Sequence, residues 1–392
     1  MDLHILMKDA IELERWNNMK EKRGDLWSWL ILGTLVFFIY LCWFFRTGYL
    51  AGIAFATPIF CVILAISLVG TVGIRNFFRD REGQLVTVGC LLALLNIFLV
   101  KSGKGAIFTI GGFFLMLYLS DKIRFTGMQK ILLAALCVPY YAGWWFVKET
   151  EYNINTPGMI ELGLFLLICL GLEEGKRFYP KARLWLLTAE VFLGILGMGV
   201  ARYYHARSGF YGFLLFFALY FLGPLLASRK WVKRLLTLGV TAGAMLITIP
   251  FSWLYAHNFV VGGQVIPLNI LSGREIAWIE FWNAWLKKPL TGIGSDFINA
   301  IPNWSGLEAH NTLLSLLWVH GILVFALVLY LLLRRMSGLE KWENGEKAAW
   351  MPYAGVIAMM VVGAAETFYC AGIYNGIFFV LLTCAIQEDF IR

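Results

Sequence analysis

Three side chains in this sequence combine reactive chemistry with a suggestive position. His310 lies in Glu308-Ala309-His310-Asn311, where a long polar stretch gives way to an apolar run. An imidazole there can take a proton from a hydroxyl at neutral pH, which few other side chains can do. Arg207, in Ala206-Arg207-Ser208-Gly209, and Arg274, in Ser272-Gly273-Arg274-Glu275, stand at comparable borders. Each guanidinium can grip two phosphate oxygens and neither can lose its proton, so two facing one cavity would suit a diphosphate. The plainer reading is that each arginine snorkels to lipid headgroups and the histidine hydrogen-bonds to backbone. Position by itself does not decide. His205 and His257 take that plainer reading, and His320, deeper in an apolar run, reads as a packing or hydrogen-bonding residue. An ionisable group within a membrane is nonetheless a functional candidate.

The elements that carry these residues follow from composition. With 59% hydrophobic residues and only 15% charged, 392 residues have too little polar surface to cover soluble domains of that size. The chain is expected to dissolve in lipid as a single transmembrane domain over 1–392. Sixteen Trp and 16 Tyr suit the interface and 31 Phe the acyl region. The net charge of +8 then reads as cytoplasmic basic loops, and nucleic acid is not an expected partner. The seven cysteines fall in apolar runs without a CxxC pair, as inert buried thiols do.

Apolar stretches long enough to cross a bilayer predict an all-α polytopic protein of about twelve transmembrane helices. They run over 27–45, 49–72, 85–100, 106–120, 131–147, 157–172, 184–200, 209–227, 235–255, 311–333, 348–365 and 368–386. With both termini cytoplasmic, the outer segments hold only Arg46, Lys101, Lys104, Lys148, Arg202, Arg207, Arg274, Lys287 and Lys288 of the 33 lysines and arginines. One miscounted helix would invert everything downstream, so this asymmetry supports the alternation. Residues 1–25 lack the apolar core of a signal peptide and read as a cytoplasmic segment, either a short surface helix or a tail.

Most connections are short, but 256–310 forms a long external loop between the ninth and tenth spans. Ser272 and Glu275 have capping-box spacing, Trp278, Trp282 and Trp285 recur at helical spacing, and Pro289 ends the segment. An amphipathic helix against the outer membrane face or over a cavity is expected there.

From about Arg202 to Gly321 the chain resembles the O-antigen ligase and O-antigen polymerase superfamily of bacterial membrane glycosyltransferases. The resemblance rests on Arg207-Ser208-Gly209, Arg274 with Trp278, Pro289-Leu290-Thr291-Gly292-Ile293-Gly294, Ala309-His310-Asn311 and Gly321, in that order around the long loop. It implies a GT-C-like fold in the cytoplasmic (inner) membrane with its active site on the periplasmic side. It further implies metal-independent glycosyl transfer from an undecaprenyl-diphosphate-linked glycan, with no cofactor. His310 would be the catalytic base, Arg207 and Arg274 would bind the diphosphate, and Asn311, Trp278 and Ser208 would support them. The acceptor would be lipid A core for a ligase or a second lipid-linked glycan for a polymerase. One dominant external loop favours the ligase, since many polymerases carry two. A lipid-linked-oligosaccharide transporter is the main rival of another class. Against it stand the lack of an internal repeat and the few intramembrane charges, Glu161 and Glu190 inside spans and Glu366 near an outer end. A scaffold would leave the placement of Arg207, Arg274 and His310 unexplained.

Overall fold

The computed structural model describes residues 26–41, 49–100, 102–103, 105–143, 155–226, 230–256, 260–261, 264–265, 274–302, 304–338, 347–370 and 372–387. The expectations for residues 1–25, for His257 and for the Ser272 end of the capping box lie outside them. The regular structure of the described chain is helical, apart from a two-residue antiparallel ladder pairing Val260–Val261 with Gln264–Val265.

In order, the helices are α1 Leu26–Leu41, α2 Tyr49–Thr71, α3 Ile74–Arg79, α4 Arg81–Val100, α5 Gly105–Leu119, α6 Gly127–Gly143, α7 Thr156–Phe178 and α8 Arg183–Tyr203. They continue as α9 Arg207–Leu226, α10 Lys230–Leu246, α11 Thr248–Ala256, α12 Arg274–Trp285, α13 Phe297–Ala300, α14 Thr312–Gly338, α15 Lys347–Val362 and α16 Gly372–Gln387. Every apolar stretch read from the sequence therefore holds a helix. Among the described residues, four helical stretches are long and apolar enough to cross a membrane: Arg81–Val100, Thr156–Phe178, Pro180–Tyr203 and Thr312–Ser337. Seven further apolar helical stretches of 10–17 residues are found among the described residues, two of them within the longer helices α2 and α9, of 23 and 20 residues.

Burial sorts these helices into a centre and a rim. The apolar window of α7 is 89% buried, against 28% for α4 and for the stretch containing α8. A helix covered on every side is an interior element, and α7 packs against α6, α8, α9, α15 and α16. On the rim, Phe98, Trp185 and Leu225 are each at least 75% exposed. Apolar side chains presented outward in this way fit an acyl surround and would be anomalous in water.

At the end of the bundle away from His310, buried ions tie the helices together. Arg335 pairs with Glu82 and, at 3.1 Å, with Asp121, and its Nε donates to the Leu117 carbonyl at 2.6 Å, joining α14 to α4 and α5. Lys130 meets Glu174 at 2.7 Å between α6 and α7. Lys176 meets Glu190 at 2.5 Å and Glu173 at 3.0 Å, joining α7 to α8. Charges taken out of water need such partners, so part of the basic surplus read from the sequence serves cohesion.

Two helices near His310 are broken, which the sequence reading did not foresee. The expected ninth span is two helices, α10 and α11, meeting at Ile247. The tenth is interrupted inside α14 at Gly321, whose φ of 77° and ψ of 172° are not helical. The loop 289–294 fills this second break. Ile293 N–H donates to the Trp318 carbonyl at 2.8 Å, Gly294 N–H to the Val319 carbonyl at 3.1 Å, and Ile322 N–H to the Pro289 carbonyl at 2.9 Å. On the other side Asn96 of α4 donates to the His320 carbonyl at 2.6 Å. Only glycines allow so close a meeting: a Cβ on Gly292 would lie 2.6 Å from the Gly321 nitrogen, and both residues have positive φ.

Candidate functional site

The start of α14 organises the site. Asn311 caps it, its Oδ1 accepting from Leu314 N–H at 3.0 Å, while its Nδ2 donates to the carbonyls of Ala244 at 2.6 Å and Ala364 at 3.0 Å. Thr312 grips the connection between α15 and α16. Its N–H donates to the Gly363 carbonyl at 2.7 Å, its Oγ1 donates to the Glu366 carbonyl at 2.9 Å, and the same Oγ1 accepts from Phe368 N–H at 2.8 Å. Glu366 is thereby held against His310.

Glu366 is only 2% exposed, and both its carboxylate oxygens are engaged. Oε1 accepts from Arg274 and, at 3.3 Å, from Ser208; Oε2 lies 3.1 Å from His310 Nδ1. Against an ionised carboxylate, which can only accept, a neutral His310 imidazole carries its proton on Nδ1 and its lone pair on Nε2. The imidazole is thus oriented as a base, with a negative charge behind it to stabilise the imidazolium formed on proton uptake.

His310 has φ 42°, a left-handed conformation uncommon outside glycine. It persists because both flanks are fixed. Before it, the indole of Trp278 on α12 donates to the Ala309 carbonyl at 2.9 Å; after it stands the Asn311 cap. Strain of this kind concentrates at functional positions, where the surroundings over-determine it. Trp278 is 1% exposed, so its part is to brace the loop, and it offers no open face to a ligand. A helix stands where the aromatic spacing led one to expect it; α12 buries Glu275, Ala277, Trp278, Phe281 and Ala284 and packs on α11 and α14.

Arg207 belongs to a neighbouring cleft of about 530 Å³ lined by Arg202, His205, Arg207, Phe210 and Tyr211, with Ala201 and Ala206 beneath. The turn that makes it is a Schellman cap of α8. Ala206 N–H donates to the Ala201 carbonyl at 2.7 Å and His205 N–H to the Arg202 carbonyl at 3.1 Å. His205 occupies the left-handed position of this cap, at φ 56°, where glycine is usual. The turn delivers Arg207 to the first residue of α9, so two arginines and a helix N-terminus face the cleft, an arrangement favourable to anions. Gly209 lets α9 start flush against α7, since a Cβ there would lie 2.6 Å from the Gly158 carbonyl group.

The structure therefore brings Arg274, His310 and Ser208 together on one carboxylate. It places Arg207 one residue away, in the cleft, and assigns Asn311 and Trp278 to bracing. His205, read from the sequence as an ordinary interfacial residue, lines the cationic cleft. In the sequence Glu366 reads only as an acid near the outer end of a span, with no part in the site. Its only sequence signal is a carboxylate at the outer end of an apolar run, 56 residues from its partner. Among the described residues no group of three or more His, Cys, Asp or Glu side chains converges as a metal site would require. The chain matches no protein-family model, no curated protein and no solved structure.

Proposed function

We propose that this chain is a membrane glycosyltransferase. On this reading it moves a glycan from undecaprenyl diphosphate to a sugar hydroxyl on the outer side of the cytoplasmic membrane, within a twelve-span, GT-C-like architecture. The observation that carries the reading is the convergence of Arg274, His310 and Ser208 on the buried carboxylate of Glu366, next to the Arg207 cleft.

In the reaction the acceptor oxygen bonds to the anomeric carbon as the bond from that carbon to the diphosphate oxygen breaks. His310 Nε2 takes the hydroxyl proton, and Glu366 stabilises the resulting imidazolium. The electron pair leaves with the diphosphate, whose growing charge is met by Arg207 and by the guanidinium N–H groups of Arg274 directed away from Glu366. His310 then releases its proton to solvent or to the departing diphosphate. Lipid A core is the favoured acceptor and a second lipid-linked repeat the alternative, the single dominant external loop being the reason for the preference.

The broken helices α10/α11 and α14 raise the transporter reading again, because unwound helices often coordinate cargo. In α14, however, the carbonyls of Trp318, Val319 and His320 at the break already accept from Ile293, Gly294 and Asn96. Of the two acids noted inside spans, Glu190 is paired with Lys176, whereas Glu161 is fully buried with neither oxygen hydrogen-bonded among the described residues. The filled break in α14 is therefore what favours an enzyme with a fixed site.

The deciding experiment reconstitutes the purified chain in liposomes with a defined undecaprenyl-diphosphate glycan, offering lipid A core and a second lipid-linked repeat in competition. Transfer to either, lost on His310→Ala, supports the reading. The product identifies ligase or polymerase, and glycan translocation without any new glycosidic bond would refute it.

A further inference from the structure

A second cavity, of about 360 Å³, is walled by residues next in the chain to the His310–Glu366 pair, whose own side chains are not part of its lining. Ala309 and Thr367, the chain neighbours of these two residues, both line it. Its wall also includes Ala106 and Thr109 from the first turns of α5, Glu308, Ser315 and His320. His320 stands eight residues beyond Thr312, so the cavity reaches about 12 Å along α14 toward the interior of the bundle. Its volume lies at the low end of the roughly 300–1,000 Å³ range of small-ligand sites.

The two cavities differ in sign. The first presents Arg202, Arg207 and His205. Among the described residues lining the second there is no lysine or arginine, and the one carboxylate is Glu308. A diphosphate would meet uncompensated repulsion there. A neutral polyol would meet hydroxyls from Thr109, Ser315 and Thr367, a carboxylate acceptor and an imidazole, set among apolar walls. That mixture of a few polar groups in a largely apolar pocket orients small ligands, and the opposed potentials would sort donor from acceptor.

We propose that this second cavity receives the hydroxyl-bearing terminal sugar of the acceptor. Donor and acceptor then reach the His310–Glu366 pair from separate cavities, one cationic and one neutral to acidic. The proposal rests on the glycosyl-transfer reading above and adds to it the place and chemical class of the acceptor site. In the transfer step the acceptor O–H loses its proton to His310 Nε2 while its oxygen forms the new glycosidic bond.

The test uses the full chain in liposomes with undecaprenyl-diphosphate glycan as donor and lipid A core or a second lipid-linked repeat as acceptor. Ala106→Leu narrows the cavity and Glu308→Gln removes its charge without changing its shape. Each should raise the acceptor KM by about tenfold or more, Glu308→Gln by losing one hydrogen bond to a charged group and Ala106→Leu by filling the space the sugar would take, and change donor KM far less. An unchanged acceptor KM in both variants overturns the proposal. A rise in donor KM alone also overturns it, and gives the cavity to the donor's polyprenyl chain. A second arm needs no turnover: in an Ala106→Cys variant, maleimide labelling should be blocked by the acceptor that the wild type uses and not by undecaprenyl diphosphate alone. Transfer without such protection refutes the acceptor site alone. Failure of the wild type to form product with either acceptor refutes the glycosyl-transfer reading beneath it.

Discussion

Replacing Glu366 by Gln keeps the size of the side chain and removes its charge. In the wild type both carboxylate oxygens accept: Arg274 and Ser208 on one, His310 Nδ1 at 3.1 Å on the other. An amide presents one oxygen and one NH2, so in either orientation an NH2 group faces a donor. If the oxygen stays on His310, the imidazolium loses a charged partner. That is worth about 1.5–3 kcal/mol for a hydrogen bond to a charged group, or roughly ten- to 150-fold in rate. If the NH2 faces His310, Nδ1 must turn its lone pair toward the amide and the proton moves to Nε2, leaving no base. A wrong tautomer of this kind costs about 10⁴-fold in a serine-protease triad. The expected outcome is therefore a fall in kcat between these bounds, with a smaller change in donor KM. The assay is steady-state transfer by purified protein in liposomes, with folded fractions matched by thermal unfolding. If Glu366 served only to hold Arg274 in place, Glu366→Gln would lower the unfolding temperature and leave the rate per folded molecule unchanged, and that result would refute the orienting role.

His310→Ala should abolish transfer while leaving donor binding largely intact, since a general base acts on the transition state more than on ground-state affinity; isothermal binding beside turnover checks both. Wild-type activity should fall as the pH is lowered, because a protonated imidazole has no lone pair with which to take the hydroxyl proton, and a flat pH profile in single-turnover measurements would remove His310 from the chemistry. Arg207→Lys and Arg274→Lys keep the charge and lose the planar fork, so each should lower activity, with Arg→Ala lower still; wild-type kinetics for both Lys variants would return the arginines to a membrane-anchoring role. Gly321→Ala should destabilise the fold by about 1–3 kcal/mol, because φ 77° and ψ 172° belong to a region open essentially to glycine alone; an unchanged unfolding transition in detergent would contradict the packing described for the break.

Much of this was legible in the sequence, and the reasons it was not all legible are physical. Hydropathy located a helix at every apolar stretch, because burying backbone polar groups in an apolar medium leaves few alternatives to a helix. The aromatic stripe after Arg274 foretold α12, since residues three and four apart share a face. The breaks at Ile247 and Gly321 were hidden, because each lies inside an otherwise apolar run and is stabilised by residues far away in the chain. For Gly321 these are Pro289, Ile293, Gly294 and Asn96. Glu366 was hidden for a similar reason. Its importance comes from meeting Arg274 and His310 across 92 and 56 residues of chain, and no local spacing records that meeting. The roles of Trp278 and Asn311 were visible only as proximity to the site; their hydrogen bonds to Ala309, Ala244 and Ala364 show that they set its geometry.

The loop that fills the break in α14 also bears on how the protein is made. The segment from Pro289 to Gly294 precedes α14 in the chain, so it emerges from the ribosome first, yet its docking site exists only after α14 has been synthesised. Until the two meet, the carbonyls of Trp318 and Val319 lack the N–H partners that Ile293 and Gly294 supply. Exposed to hydrocarbon, such groups cost several kcal/mol each. The final backbone pairing of the 289–294 segment and that of α14 are therefore acquired together, each supplying partners that the other lacks alone.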